Sequence, residues 1–178
     1  MSENQSGAVF SVSASSVINA PPDHVWKILT DFKSYREWNP FVRAQNLVDS
    51  DRNPLPDDAL TTGLFLNISE VHLPPTMGKP TLFQKAWAFE RITEADAVNH
   101  RLAWEFWGPV PKWLLYAERW QILTAEGDGQ TKYHTFEEFT GVLAHVVKLI
   151  QRKKLGKGFV AMAETLKARA EETYQRPA

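Results

Sequence analysis

Two neighbouring segments carry the residue types that could do chemistry. Tyr116, Glu118, Trp120 and Ile122 alternate along one apolar stretch, and His134, Phe136 and Glu138 alternate along the next. A strand puts every second side chain on the same face. Trp120 and Ile122 predict that their face points inward, which would carry Glu118 and Tyr116 into the interior. In the second segment the period leaves both faces open, because Phe136 argues for one and Tyr133 with Phe139 for the other. A carboxyl group removed from water has a raised pKa and can act as a general acid or base. An imidazole titrates near neutrality and can do the same. Glu118, His134 and Tyr116 are therefore the candidate catalytic residues, suited to enolisation, aldol-type ring closure or dehydration. The plain alternative pairs Glu118 with Arg119, Arg101 or Lys132 at a strand edge and turns His134 to water, since a slip of one residue exchanges the two faces.

Motifs that bring a mechanism with them are absent: there is no GxGxxG, Walker loop, HExxH, GxSxG or EF-hand. The five His, at 24, 72, 100, 134 and 145, show no metal-ligand spacing, and no metal or cofactor is expected. Cysteine is absent, which excludes disulfides, Cys-ligated zinc and a thiolate nucleophile. With a net charge of -1 the chain has no global field for nucleic acid, and its basic residues do not interleave with aromatics. No apolar stretch approaches the ~20 residues of a membrane span, and residues 1–8 lack the basic and apolar blocks of a secretory signal. A soluble, cytoplasmic protein without a nucleic-acid partner is expected.

The elements that must hold the candidate residues follow from periodicity and breakers. At 178 residues the chain predicts one domain over residues 9–174, with a flexible N-terminus at 1–8 and a tail at 175–178. About 70% of the unfolded surface can be buried at this length. Residues 9–18 read as a strand. Pro21 is suited to the first position of a helix, whose buried stripe is Val25, Ile28 and Leu29. Phe32 to Trp38 adds a further turn or two, and Asn39-Pro40 stops it. Strands are predicted over 41–48, 61–71, 82–93, 101–107, 114–124 and 131–140, with a hairpin turn at 126–129. Helical spacing resumes at Val142 to Lys154, is interrupted by Gly156-Lys157-Gly158, and restarts with Phe159, Met162, Ala163 and Leu166. The order of strand, two short helices, six strands and a long helix defines an α+β pattern with an antiparallel meander.

The run Asn19 to Phe41, the stretch Arg101-Leu102-Ala103-Trp104, the strand ending in Glu138-Phe139-Thr140-Gly141 and the helix Phe159 to Lys167 resemble the START/Bet v 1-like (SRPBCC) superfamily, in its polyketide cyclase/dehydrase-like subset. That resemblance spans nearly the whole chain. It implies a helix-grip fold: a seven-stranded antiparallel curved sheet around a long C-terminal helix, with two short helices after strand 1 and a hydrophobic cavity between.

Seven Trp and ten Phe in one small domain supply the wall of such a cavity, or a solid core. Trp38, Phe41, Phe65, Trp87, Trp104, Phe106, Trp120, Phe136, Phe159 and Met162 are the candidate ligand-binding residues. The segments Trp107 to Leu115 and Leu143 to Ile150 are placed at its mouth. The second of these is followed by basic residues, a combination able to touch a membrane surface. Three functions follow from the resemblance: a carrier of a small hydrophobic molecule (a lipid, polyketide or aromatic metabolite), a cofactor-independent cyclase or dehydratase using Glu, His and Tyr, or a protein-interaction module of the chaperone-cofactor kind. Neither the ligand nor the oligomeric state is fixed by the sequence.

Overall fold

A computed structural model of the chain describes residues 7–127 and 129–175. Seven antiparallel strands form one sheet: β1 (Phe10–Ile18), β2 (Val42–Val48), β3 (Phe65–His72), β4 (Lys85–Asp96), β5 (Arg101–Phe106), β6 (Tyr116–Glu126) and β7 (Gln130–Thr140). Their spatial order is β1-β7-β6-β5-β4-β3-β2. The sheet is therefore a meander from β2 to β7, with β1 added on the far edge. Helix α3 (Ala144–Thr173) lies across its concave side, with α1 (Pro22–Thr30) and α2 (Tyr35–Trp38) following β1. This is the helix-grip architecture that the resemblance implies. Of the expected termini, residues 1–6 and 176–178 lie outside the described residues, as does Asp128 of the expected hairpin turn.

Local chemistry accounts for the joints. Pro21 caps α1 rather than opening it, and Pro22 takes the first helical position, one residue later than expected. Its missing N–H is no loss there. Val25 and Leu29 of the expected stripe are fully buried. Asn39 ends α2 and turns the chain into β2: its Oδ1 accepts from the backbone N–H of Phe41 at 2.9 Å and of Val42 at 3.1 Å.

Two glycines do what no other residue could. Gly141 ends β7 with φ 92°, and a Cβ there would stand 2.7 Å from the carbonyl of Leu114. The β5–β6 connection can thus close onto the start of α3, where Leu143 N–H donates to Leu114 O at 2.8 Å. Gly158 lies in the middle of α3, and a Cβ there would meet the Phe41 ring at 2.5 Å. Contrary to expectation, Gly156-Lys157-Gly158 does not interrupt the helix, which is continuous over 30 residues. Two glycines cost about 2 kcal/mol of propensity, but at Gly158 the bare Cα lets the helix pass close against the Phe41 ring. Phe159, Met162, Ala163, Leu166 and Ala170 are all buried on the face that follows.

A candidate ligand site beneath the sheet

Register decides which side chains look at α3. Trp104 lies opposite Arg119, and Arg119 opposite Glu137, across β5, β6 and β7. This row faces inward: Trp104 and Arg119 are buried, and the guanidinium of Arg119 lies over the rings of Phe159 (4.2 Å), Phe41 (5.5 Å) and Trp104 (5.6 Å). Its hydrogen bonds go to weak or distant acceptors, the Thr135 hydroxyl at 3.4 Å and the Met162 sulfur at 3.2 Å, with the Tyr133 hydroxyl beside them. Among the described residues no carboxylate stands within 4 Å of it. A buried charge without an ion partner is unusual, because desolvation normally demands one.

The rest of the concave face is polar in the same unfinished way. Burial pushes the Glu137 carboxyl up to about 7, against a smaller downward pull from Arg119. Burial also raises Glu90 well above the carboxylate range, with the charge of Glu137 adding to it. Tyr133 donates its hydroxyl to Gln121 Oε1 at 2.7 Å, and Tyr35 donates to Leu29 O at 2.6 Å. Gln121 Nε2 and Gln45 Nε2, both buried, find no acceptor. Buried donors are nearly always paired, so these amides mark a place where an acceptor is missing from the protein itself.

The expected inward face of β6 is reversed. Ala117, Arg119, Gln121 and Leu123 are the buried set, and Tyr116, Glu118, Trp120 and Ile122 look outward. His134 and Glu138 follow, because His134 pairs with Ile122 and Glu138 with Glu118. Tyr116, Glu118 and His134 thus lie on the convex face, where Glu118 accepts from Thr93 Oγ1 at 3.1 Å. The cause is that both faces of β6 carry bulk. Trp120 is kept outside by stacking on Phe136 (6.4 Å) under the guanidinium of Arg101 (5.1 Å). Phe65 and Trp87 are also outside: Phe65 stacks on Phe89 at 5.2 Å, and Trp87 is exposed.

Of the expected binding residues, Trp38, Phe41, Trp104, Phe106, Phe159 and Met162 belong to the interior, while Phe65, Trp87, Trp120 and Phe136 do not. The residues missed by sequence reasoning are Arg119, Glu137, Glu90, Gln121 and Gln45. A signal was present in β6, where Ala117 and Leu123 flank Arg119 and Gln121 on one face.

A groove of about 590 Å³ opens on the outside near the β2 edge. Arg36, Arg43, His72, Lys79 and Lys85 line it with Glu70, which His72 Nε2 contacts at 2.8 Å.

A sheet gripping one long helix over an unsaturated polar interior defines a helix-grip protein of the START and Bet v 1-like kind. The chain belongs to the family described as polyketide cyclase / dehydrase and lipid transport, whose model matches residues 9–171. It is 28% identical over 174 residues to oxopyrrolidines biosynthesis cluster protein O of Penicillium oxalicum, an alignment covering 82% of this chain and 79% of that protein. Among solved structures it resembles the Zhui aromatase/cyclase of Streptomyces sp. R1128 (TM-score 0.68, 13% identity, 92% of this chain and 94% of that one). It also resembles a norcoclaurine synthase point mutant from Thalictrum flavum in complex with a transition-state analogue (TM-score 0.59, 14% identity, 94% and 98%). Identities this low speak for the fold and not for the reaction.

Proposed function

We propose that this protein holds a small, largely apolar molecule between sheet and α3, with a carbonyl, enolate or carboxylate oxygen of that molecule set against Arg119. The observation that carries this reading is the buried guanidinium with no carboxylate of a described residue in ion-pair range. A ligand oxygen would complete its shell and give the amides of Gln121 and Gln45 an acceptor. Phe41, Trp104, Phe159 and Met162 supply the apolar walls, and the ligand would slide between or displace them. The family's lipid-transport and polyketide-cyclase members, and the relative named for an oxopyrrolidine biosynthesis cluster, are consistent with a hydrophobic metabolite.

A second reading rests on Glu137. A carboxyl titrating at about 7 exchanges its proton freely at neutral pH and suits general acid–base work. On this reading Arg119 stabilises the enolate formed when Glu137 removes a proton α to a carbonyl, and Glu90, whose carboxyl burial shifts towards the protonated form, serves as a donor.

The first reading is tested by titrating the anionic aromatic probe anilinonaphthalene sulfonate into the wild type and Arg119→Met, after native mass spectrometry has identified any co-purifying molecule. Charged hydrogen bonds contribute about 1.5–3 kcal/mol, so Arg119→Met weakens binding about tenfold to a hundredfold. The variant remains folded, since an apolar side chain of similar volume replaces a buried charge without penalty. Unchanged affinity in a folded Arg119→Met would end the proposal.

A further inference from the structure

In a meander every second connection lies at the same end of the sheet. The β3–β4 connection (73–84), the β5–β6 connection (107–115) and the start of α3 (from 141) therefore lie at one end, and hydrogen bonds of Val142 N–H to Trp113 O and Leu143 N–H to Leu114 O join the last two. Most of the exposed large apolar side chains among the described residues are gathered there. Phe83 is 96% exposed and Leu149 is 87% exposed, as if presented to a partner; Leu82, Trp113, Val142 and Ile150 stand out beside them. An apolar group this exposed is normal when single, but a cluster marks an interaction surface.

The charge at this end is as one-sided as the hydrophobicity. Segments 73–85, 107–115 and 141–163 contain none of the chain's 21 Asp and Glu. They hold Lys79 and Lys85, then Lys112, then Lys148, Arg152, Lys153, Lys154 and Lys157, which is eight of its 20 Lys and Arg. Lys85 and Lys112 are paired with Glu70 and Glu105. Lys79, Arg152, Lys153, Lys154 and Lys157 make no ion pair with a described residue. A chain of net charge -1 thus carries a cationic, apolar tip.

We propose that this end docks on an anionic lipid surface, with Phe83, Leu82, Trp113 and Leu149 entering the headgroup region and the α3 cations facing the lipid phosphates. Two observations choose the occupant. A second copy of the chain meeting this face would bring Lys79 and the α3 cations against their own copies, so the face repels itself. The apolar side chains also project singly from three separate segments, Phe83 and Leu82 from one connection, Trp113 from another and Leu149 from a helix. Separated tips suit a soft interface that closes around each of them, as interfacial anchors do. No helix among the described residues is long and apolar enough to cross a membrane, so the contact is peripheral. The proposal does not depend on what the interior holds.

Co-sedimentation of the full chain with vesicles tests it. Vesicles of phosphatidylcholine mixed with phosphatidylglycerol bind the protein at low salt, and vesicles of phosphatidylcholine alone do not. Binding falls at least about tenfold in ~0.5 M salt. The double variants Arg152→Glu/Lys153→Glu and Phe83→Ser/Leu149→Ser, all at exposed positions, each weaken it about tenfold or more. Lys132→Glu, at the opposite end of β7, leaves it unchanged. Three results would overturn the proposal: no binding to the anionic vesicles at low salt, equal loss with Lys132→Glu, or self-association in ultracentrifugation that Phe83→Ser/Leu149→Ser abolishes. Probe binding by the interior, measured without lipid, is unaffected by any of these outcomes, so the two readings fail separately.

Discussion

The two faces of the β5–β6–β7 region both carry charged side chains and treat them in opposite ways. One row, Trp104–Arg119–Glu137, faces α3; the next, Glu105–Glu118–Glu138, faces away from it. On the convex side the protein supplies its own partners. Burial raises the Glu105 carboxyl, but the hydrogen bond from Lys112 and the charges of Lys112 and Arg91 outweigh it, and the pKa is lowered. Lys112 Nζ stands 2.6 Å from one carboxylate oxygen and Arg91 contacts the other. On the concave side Arg119 and Glu137 face each other across one step of the ladder, and neither is satisfied by the other. A polar group whose shell the chain completes is part of the scaffold. A polar group left short on the inner face is the one that the proposed ligand would complete.

The largest expected contrast is in stability. Phe159 is wholly buried against Phe41 and Arg119, whereas Phe136 lies half-buried on the outer face beside Trp120 and His134. Phe159→Ala lowers unfolding free energy by about 3–5 kcal/mol, the usual range for a large aromatic deleted from a core. Phe136→Ala costs about 1 kcal/mol or less. Urea unfolding of the two variants checks this. Equal losses would mean that the faces are not energetically distinct.

A second contrast is one of sign. The folded pKa of Glu137, about 7, lies above the ordinary 4.5, so its contribution to stability is full below pH ~4.5 and is lost as pH rises through 7. Glu137 keeps part of its surface accessible, so Glu137→Gln stabilises the protein at pH 8 by only about 1–2 kcal/mol. At pH 4 the variant and wild type coincide. Glu105 runs the other way. Its lowered pKa contributes stability above its ordinary value of 4.5, lost as pH falls through the folded pKa. Glu105→Gln therefore destabilises at pH 8 by about 1–3 kcal/mol, since Arg91 and Lys112 lose their charge partner, and the deficit closes at acid pH. Parallel unfolding curves from pH 4 to pH 8 read both signs.

The elements were legible because their signals are local. Asn39-Pro40, the Gly141 break and the alternation of β5 each mark a boundary or a face without reference to the rest of the chain. The face of β6 was not legible for the converse reason. Trp120 and Ile122 argue for burial on hydrophobicity alone, yet Arg101 and Phe136, on two other strands, provide them with an outer shelter. Arg119, the most polar residue of the alternate set, is buried because Phe41, Trp104 and Phe159 converge on it from three elements. Such long-range company leaves no period in the sequence. The persistence of α3 through Gly158 has the same origin, since the partner that requires a bare Cα there is Phe41, over a hundred residues away.

The smallest effect is also the sharpest test of which face reads the ligand. Glu118 lies directly opposite both Glu105 and Glu138 on the convex side. Burial raises the Glu138 carboxyl, and the charge of Glu118 raises it further. Like charges opposite each other in a ladder oppose pairing, so Glu118→Gln is neutral to slightly stabilising, within about 0.5 kcal/mol. The amide oxygen can still accept from Thr93. Probe affinity in Glu118→Gln stays within about twofold of wild type, where Arg119→Met, one residue along the same strand, loses an order of magnitude. If Glu118→Gln instead matched the loss of Arg119→Met, a one-residue step would not separate scaffold from site, and the ligand would have to be read from the convex face.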